Sequence, residues 1–281
     1  MVLTPQEYAR QVEDLFVLPD IYLKLKEIMD DKKSSLSDIA EVVVLDPSLS
    51  STLLKLANSA LFSFPREIDS IARAIMVLGI KEVHNLVNLY GVTNACSNVE
   101  TTIVDMDRFW EVSVDCALLC KFFAQKLKLK DVDGLFLSGL MHNIGELVVV
   151  QSSPKQVEFC QKYNKEETPW QLQMDVFGFT YSECSVELLN LWQLPESLIE
   201  PIRHYHNIKT ESDVTSAAKL LNICSRLALI NSHPGMYSKQ NFVMPSLLEE
   251  FELSITDIDE ALNFCNVEGL TIMSALALKN S

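Results

Sequence analysis

Glycine is scarce in this chain: there are eight in 281 residues, about 3% where soluble domains carry about 7%. Sandwiches, barrels and dinucleotide-binding sheets use glycine at tight turns, where φ must be positive. A chain this poor in glycine lacks the means to make many such turns, which points to an almost wholly helical protein. The apolar fraction is high, at 48%, and no stretch is of low complexity, so the chain folds rather than staying disordered. At this length roughly 75% of the unfolded surface is buried, enough for one large core or two ordinary ones.

Helix punctuation is dense. Asp46-Pro47 and Thr168-Pro169 each read as an N-cap followed by first-turn proline. Thr180 and Glu183 have capping-box spacing and open "VELLNLW". Glu196 starts a helix after Leu194-Pro195, and Gly79 closes "SIARAIMVL" as a C-cap. After Asp46, residues Leu49, Leu53, Leu56, Ala57 and Ala60 recur at helical spacing. Periodicity predicts roughly thirteen helices and no alternating strand. "ELVVV" at residues 146–150 is β-branched, but it is short and without a partner strand, and reads as a helix end. The polar, aperiodic stretch at residues 94–107 predicts a boundary. It divides an N-terminal subdomain, 5–98, from a longer one, 99–281, that ends in a helical extension through "PSLLEEFELSITDIDE". No repeat of twenty to fifty residues is present, which disfavours a solenoid.

The net charge is −15. Phosphate backbones repel such a surface, so no nucleic-acid partner is expected; the short "KLKLK" at 126–130 reads as a solvated helix end. An acidic surface suits a basic protein partner. The seven cysteines are odd in number, form no CxxC, and sit among apolar neighbours. They read as buried free thiols in a reducing compartment. The first ten residues have neither the basic nor the apolar region of a signal peptide. The longest uncharged run, Asn85 to Val99, is 15 residues with four asparagines, against the roughly 18 apolar residues that a membrane span needs. A cytoplasmic protein without membrane association is expected.

Motifs of catalysis are missing. Gly134 and Gly139 have P-loop spacing, but Leu140 and Met141 stand where Lys and Ser/Thr belong, and neither GxSxG nor HExxH occurs. Histidine is confined to positions 84, 142, 204, 206 and 233. The informative segment is "LFLSGLMHNIGELVVV", which places His142 and Asn143 in an otherwise apolar helix. Buried there, they need partners, either as remnants of a metal site or as satisfied core groups. The tryptophans Trp110, Trp170 and Trp192 sit beside periodic apolar residues and read as core or interface anchors.

Several ordered segments carry a family resemblance: "LPDIYLKLKEIMDD", "IAEVVVLDPSLSSTLLKLANSALF", "IDSIARAIMVLGIKEVHNLV", "FWEVSV", "FLSGLMHNIGELV", "LLNLWQLPESLIEPIRHYHN" and "AAKLLNICSRLALI". Over residues 12–232 the chain resembles the HDOD domain, the HD-related output domain of bacterial signalling proteins. The resemblance implies an all-α fold of two packed helical subdomains, the second related to HD-type metal-dependent phosphohydrolases. Those enzymes hold metal through a first His, a His-Asp pair and a final Asp. The matching positions here are Val112, His142 with Asn143, and Ser225, so only His142 keeps its family identity. His204 and His206 fall where HD proteins often carry further histidines. The implied pocket is a residual one, made of Val112, His142, Asn143, His204, His206 and Ser225, with no catalytic residue, no metal and no cofactor.

Three functions stay open at this level. A non-catalytic signalling module would act through unidentified signalling proteins. A phosphohydrolase with an unorthodox site would need His142, Asn143, His204 and His206 to supply its metal. A nucleotide- or second-messenger-binding module would use a groove between subdomains. The oligomeric state is not legible in the sequence.

Overall fold

The computed structural model describes residues 3–276 and 278, apart from 32–33, 60, 63, 65, 98, 100 and 209–213. Among these the chain is helical and holds no strand. The helices are α1 (Pro5–Gln11), α2 (Asp20–Asp30), α3 (Leu36–Val44), α4 (Pro47–Ala57), α5 (Ile71–Leu78) and α6 (Ile80–Ser97). There follow α7 (Met106–Lys126), α8 (Val132–Met141), α9 (Gly145–Ser152), α10 (Pro154–Cys160), α11 (Pro169–Phe177) and α12 (Tyr181–Leu191). The last are α13 (Glu196–His204), α14 (Ser216–Ser232), α15 (Lys239–Phe242), α16 (Pro245–Glu250) and α17 (Ile255–Ala275). This is more than the roughly thirteen that periodicity predicts. The surplus consists of pieces such as α10, α15 and α16, too short to show two turns of a pattern.

The caps explain where helices start. The Asp46 carboxylate accepts from the Leu49 N–H at 2.9 Å, and the Thr168 hydroxyl opens α11 with Pro169 behind it. The Thr180 N–H donates to Glu183 Oε1 at 2.9 Å. Gly79 closes α5 at φ +80°. On α4, Leu49, Leu53, Leu56 and Ala57 are buried as their spacing requires; Ala60 lies outside the described residues.

Two compact units divide the chain, and they differ from two continuous subdomains. One comprises Phe16–Asn98 with Leu270–Ser281, the other Met1–Leu15 with Val99–Gly269. In the first, α3 packs on α2 and α5, and α6 on α2, α4 and α5. Its core holds Tyr22, Leu25, Ile39, Val43, Leu53 and Ile75. The Tyr22 hydroxyl donates to Asn88 Oδ1 at 3.0 Å. The polar stretch at 94–107 is a shorter connection than its composition suggests, because Asn94 to Ser97 complete α6 and Met106 begins α7.

In the second unit, α7 is the central helix, packed against α8 and α14. Val114, Cys116, Ala117, Leu118, Leu119 and Cys120 along α7 are completely buried. All seven cysteines are buried free thiols. α1 belongs here because Tyr8 is an anchor: its ring meets Phe177 and Phe179 at centroid distances of 6.2 and 5.8 Å. Its hydroxyl lies 2.6 Å from Ser153 Oγ. Lys126, Lys128 and Lys130 are exposed around the end of α7, as a solvated terminus should be. "PSLLEEFELSITDIDE" is two helices, α16 and the start of α17, separated by a turn at Glu252 with φ +53°.

The segment around His142 departs from a single apolar helix. α8 stops at Met141, a tightened turn carries His142, Asn143 and Ile144, and α9 restarts at Gly145. Bonds across three residues mark the turn, from Ile144 N to Met141 O at 3.3 Å and from Glu146 N to Asn143 O at 3.0 Å. "ELVVV" is therefore the body of α9 and not a helix end. No described helix is long and apolar enough to cross a membrane.

Candidate functional site

The turn between α8 and α9 opens onto a cavity of about 350 Å³ within the second unit. The approach of α9 to α12 fixes this turn. At Gly145 a β-carbon would lie 1.9 Å from the Tyr181 carbonyl oxygen, so only glycine fits. The Gly145 N–H donates to Ser185 Oγ at 2.8 Å, and that hydroxyl is 3.1 Å from the His142 carbonyl. The turn is thus tied to α12 on both sides of Asn143.

Five of the six expected residues meet here: Val112, His142, Asn143, His206 and Ser225 line the cavity. His204, in the last turn of α13, is not among the lining residues. The resemblance does not foresee the other lining residues, among them Arg108, Glu146 and Tyr181. Glu146 had a sequence signal, since a lone carboxylate inside "IGELVVV" is hard to account for in a plain core helix. Arg108 and Tyr181 had none. Trp170 also departs from expectation, being a half-buried cavity wall, whereas Trp110 and Trp192 are buried.

His142 caps α8, and its ring stands edge-on to Tyr205 at 5.9 Å. Its Nδ1 lies 2.7 Å from the Gly139 carbonyl. A carbonyl only accepts, so Nδ1 carries the proton and Nε2 is left as an acceptor. Burial holds its pKa down to about 4. The His206 ring packs at a tilt against Tyr205 at 3.9 Å and Trp170 at 5.5 Å. Burial, then the positive charge of Arg226, then His142 push it down to about 3. Both rings are neutral at pH 7. His233 accepts at Nε2 from the Tyr163 hydroxyl, 2.9 Å away, and is held low by burial and then Arg108.

Asn143 donates its amide to Glu146 Oε2 at 2.9 Å. Burial raises the Glu146 carboxyl to about 7, opposed by its bonds to Gln161 and Asn143. The Arg108 guanidinium donates to the Ser232 carbonyl. Arg226 lies over the Trp170 ring at 4.5 Å and donates to Asn222 Oδ1 at 3.1 Å.

The HD-type relationship implies a divalent metal, and these residues do not fit one. Such an ion requires anionic oxygen donors to offset its lost hydration. At the position that the resemblance gives to the first ligand, Val112 offers an isopropyl group. Asn143 is neutral and bonded to Glu146, and the Ser225 hydroxyl is 3.1 Å from the Asn222 carbonyl, to which it donates. Among the described residues no three His, Cys, Asp or Glu side chains are placed to hold a metal ion.

Comparison with known proteins bears on the family and the fold. A model of the HDOD domain family matches residues 15–208. Similar solved structures include an HDOD domain protein of unknown function from Geobacter sulfurreducens. It has a TM-score of 0.72 and 18% identity over 99% of both chains. A Shewanella amazonensis SB2B protein with a provisional phosphohydrolase name gives 0.71 and 20%, over 96% of this chain and 97% of that one. A Marinobacter aquaeolei VT8 protein, provisionally named for signal transduction, gives 0.69 and 20%, over 94% of this chain and 60% of that one. At such identities the likeness speaks for the fold alone. An uncharacterised protein of Treponema pallidum (strain Nichols) is 27% identical over 206 residues, which is 71% of this chain and 39% of that protein.

Proposed function

The chain belongs to the HDOD domain family, and from that premise we propose that it is a non-catalytic signal-transduction module that works by contact with other proteins in the cytoplasm. One observation carries the reading. Three of the four metal-ligand positions implied by the HD relationship are Val112, Asn143 and Ser225, while the cavity around them remains shaped and lined. A metal-activated water needs several firm ligands to fix the ion and lower the water's pKa. His142 alone does not supply them. The net charge of −15 favours a partner with a basic face.

The test is a hydrolysis assay on the purified chain with added Mn²⁺, using a phosphomonoester and a cyclic dinucleotide. The expected result is no turnover above the buffer rate, with no difference between the native chain and His142→Ala. Turnover lost in His142→Ala would make the chain a phosphohydrolase and end this reading.

A further inference from the structure

The cavity carries chemistry that the vanished metal site does not explain. Arg108 lines it and makes no ion pair among the described residues; its guanidinium has five N–H donors and one recorded acceptor, the Ser232 carbonyl. Tyr181 also lines the cavity and is 2% exposed. Its hydroxyl has no hydrogen bond to oxygen or nitrogen among the described residues, and only the weakly bonding Cys160 thiol beside it. A buried hydroxyl left without a strong partner carries an uncompensated desolvation cost, which a bound acceptor would relieve. His142 also lines the cavity, with Nδ1 bonded to the Gly139 carbonyl and Nε2 left to accept.

The walls are aromatic. Trp170, Tyr205, Phe109 and Tyr163 line the cavity, and the contacts of His206 with Tyr205 and Trp170 present ring surface to it. From a cation with spare donors, a buried hydroxyl without a strong partner and ring walls around one cavity, we infer that this cavity binds a small planar aromatic molecule bearing a single carboxylate. The guanidinium fork matches a carboxylate with two parallel bonds. Tyr181 would donate to the carboxylate or to a ring acceptor, and His142 Nε2 would accept from a ring N–H or hydroxyl.

Size and charge decide against larger or more highly charged anions. About 350 Å³ lies near the small end of the ~300–1,000 Å³ typical of ligand pockets, too little for a dinucleotide. Among the described residues Arg108 is the one cationic side chain lining it, and Asp105 and Glu146 line it too. The acidic groups repel any anion, a phosphate dianion about twice as strongly as a carboxylate, so the one arginine balances a single negative charge more readily. Binding of this kind goes beyond the signalling role proposed above and does not depend on whether the chain turns over phosphoesters.

Saturation-transfer NMR and calorimetry on the full chain test it. The probes are indole-3-carboxylate and 4-hydroxybenzoate, with phenyl phosphate, AMP and benzamidine as contrasts. Expected is binding of at least one carboxylate with Kd of about 1 mM or tighter, weakened about tenfold or more in Arg108→Gln. Tyr181→Phe, which keeps the ring, is expected to weaken it about fivefold. Should Arg108→Gln fail to fold, Tyr181→Phe and the contrast probes decide. No carboxylate binding, tighter binding of phenyl phosphate, AMP or benzamidine, or binding indifferent to the substitutions would overturn the inference.

Discussion

Gly145→Ala is the substitution that most directly tests how the site is held. The added β-carbon would lie 1.9 Å from the Tyr181 carbonyl oxygen, 2.7 Å from the Ser185 nitrogen and 2.9 Å from Cys184 Cβ. The first two are α12 backbone atoms, which cannot rotate away as a flexible side chain could. Restoring an ordinary contact of about 3.5 Å requires α9 and α12 to separate by well over an ångström. That motion breaks the bond from Gly145 N–H to Ser185 Oγ and stretches the one linking Ser185 to the His142 carbonyl. Overpacking costs about 1–3 kcal/mol and each lost buried hydrogen bond about 1, so the total is about 2–5 kcal/mol, the upper end if the stretched bond is lost too. Gly178→Ala is the control. Its φ is +78° and nothing lies within 4 Å of a β-carbon there, so only left-handed backbone strain of about 1–2 kcal/mol is expected. Urea unfolding followed by far-ultraviolet circular dichroism compares the two. Equal midpoints for both variants would refute the reasoning that α9 and α12 touch backbone to backbone.

Further outcomes are expected from buried charge. Glu146 has a raised pKa, so the folded state binds its proton more tightly than the unfolded one. Its contribution is greatest below about 4.5 and is lost as pH rises through about 7. The shift corresponds to roughly 3 kcal/mol at most, since cavity solvent screens part of it. His142 and His206 are shifted in the opposite sense, so the stability difference between the native chain and Glu146→Gln should be followed from pH 4 to 8. It should move in favour of the glutamine; a flat difference counts against burial as the cause. Asn231 donates to the buried Asp115 carboxylate at 2.8 Å, so Asn231→Ala should cost about 2 kcal/mol. The cost should be greater at pH 8 than at pH 5, because Asp115 titrates near about 6; denaturant midpoints at the two pH values check this. The seven thiols should resist a disulfide-exchange reagent until the chain unfolds, and rapid labelling of the native protein would contradict their burial.

The helical class was legible because it rests on local chemistry. Scarce glycine, the caps at Asp46, Thr168 and Thr180, and the stripe of Leu49, Leu53 and Leu56 all act within one or two turns. The break at His142–Ile144 was not legible, since it is imposed from outside. It depends on α12 reaching Gly145, and an apolar run such as "LFLSGLMHNIGELVVV" does not announce a backbone forty residues away. The same holds for the division of the chain: Tyr8 finds Phe177 and Phe179 only once the fold exists. In the site, Val112, His142, Asn143, His206 and Ser225 came from motif order, and the structure gathers them at one cavity. Arg108 and Tyr181 reach it from α7 and α12 without any motif. His204 falls outside: it is the last residue of α13, whereas His206 lies beyond the helix end.

The most direct measurement for the absence of a hydrolase centre is the metal content of the native chain, purified without chelator and then titrated with Mn²⁺ by calorimetry. With Val112, Asn143 and Ser225 at the positions that the resemblance gives to ligands, trace metal and no saturable heat are expected. One tightly held ion per chain, lost in His142→Ala, would contradict it.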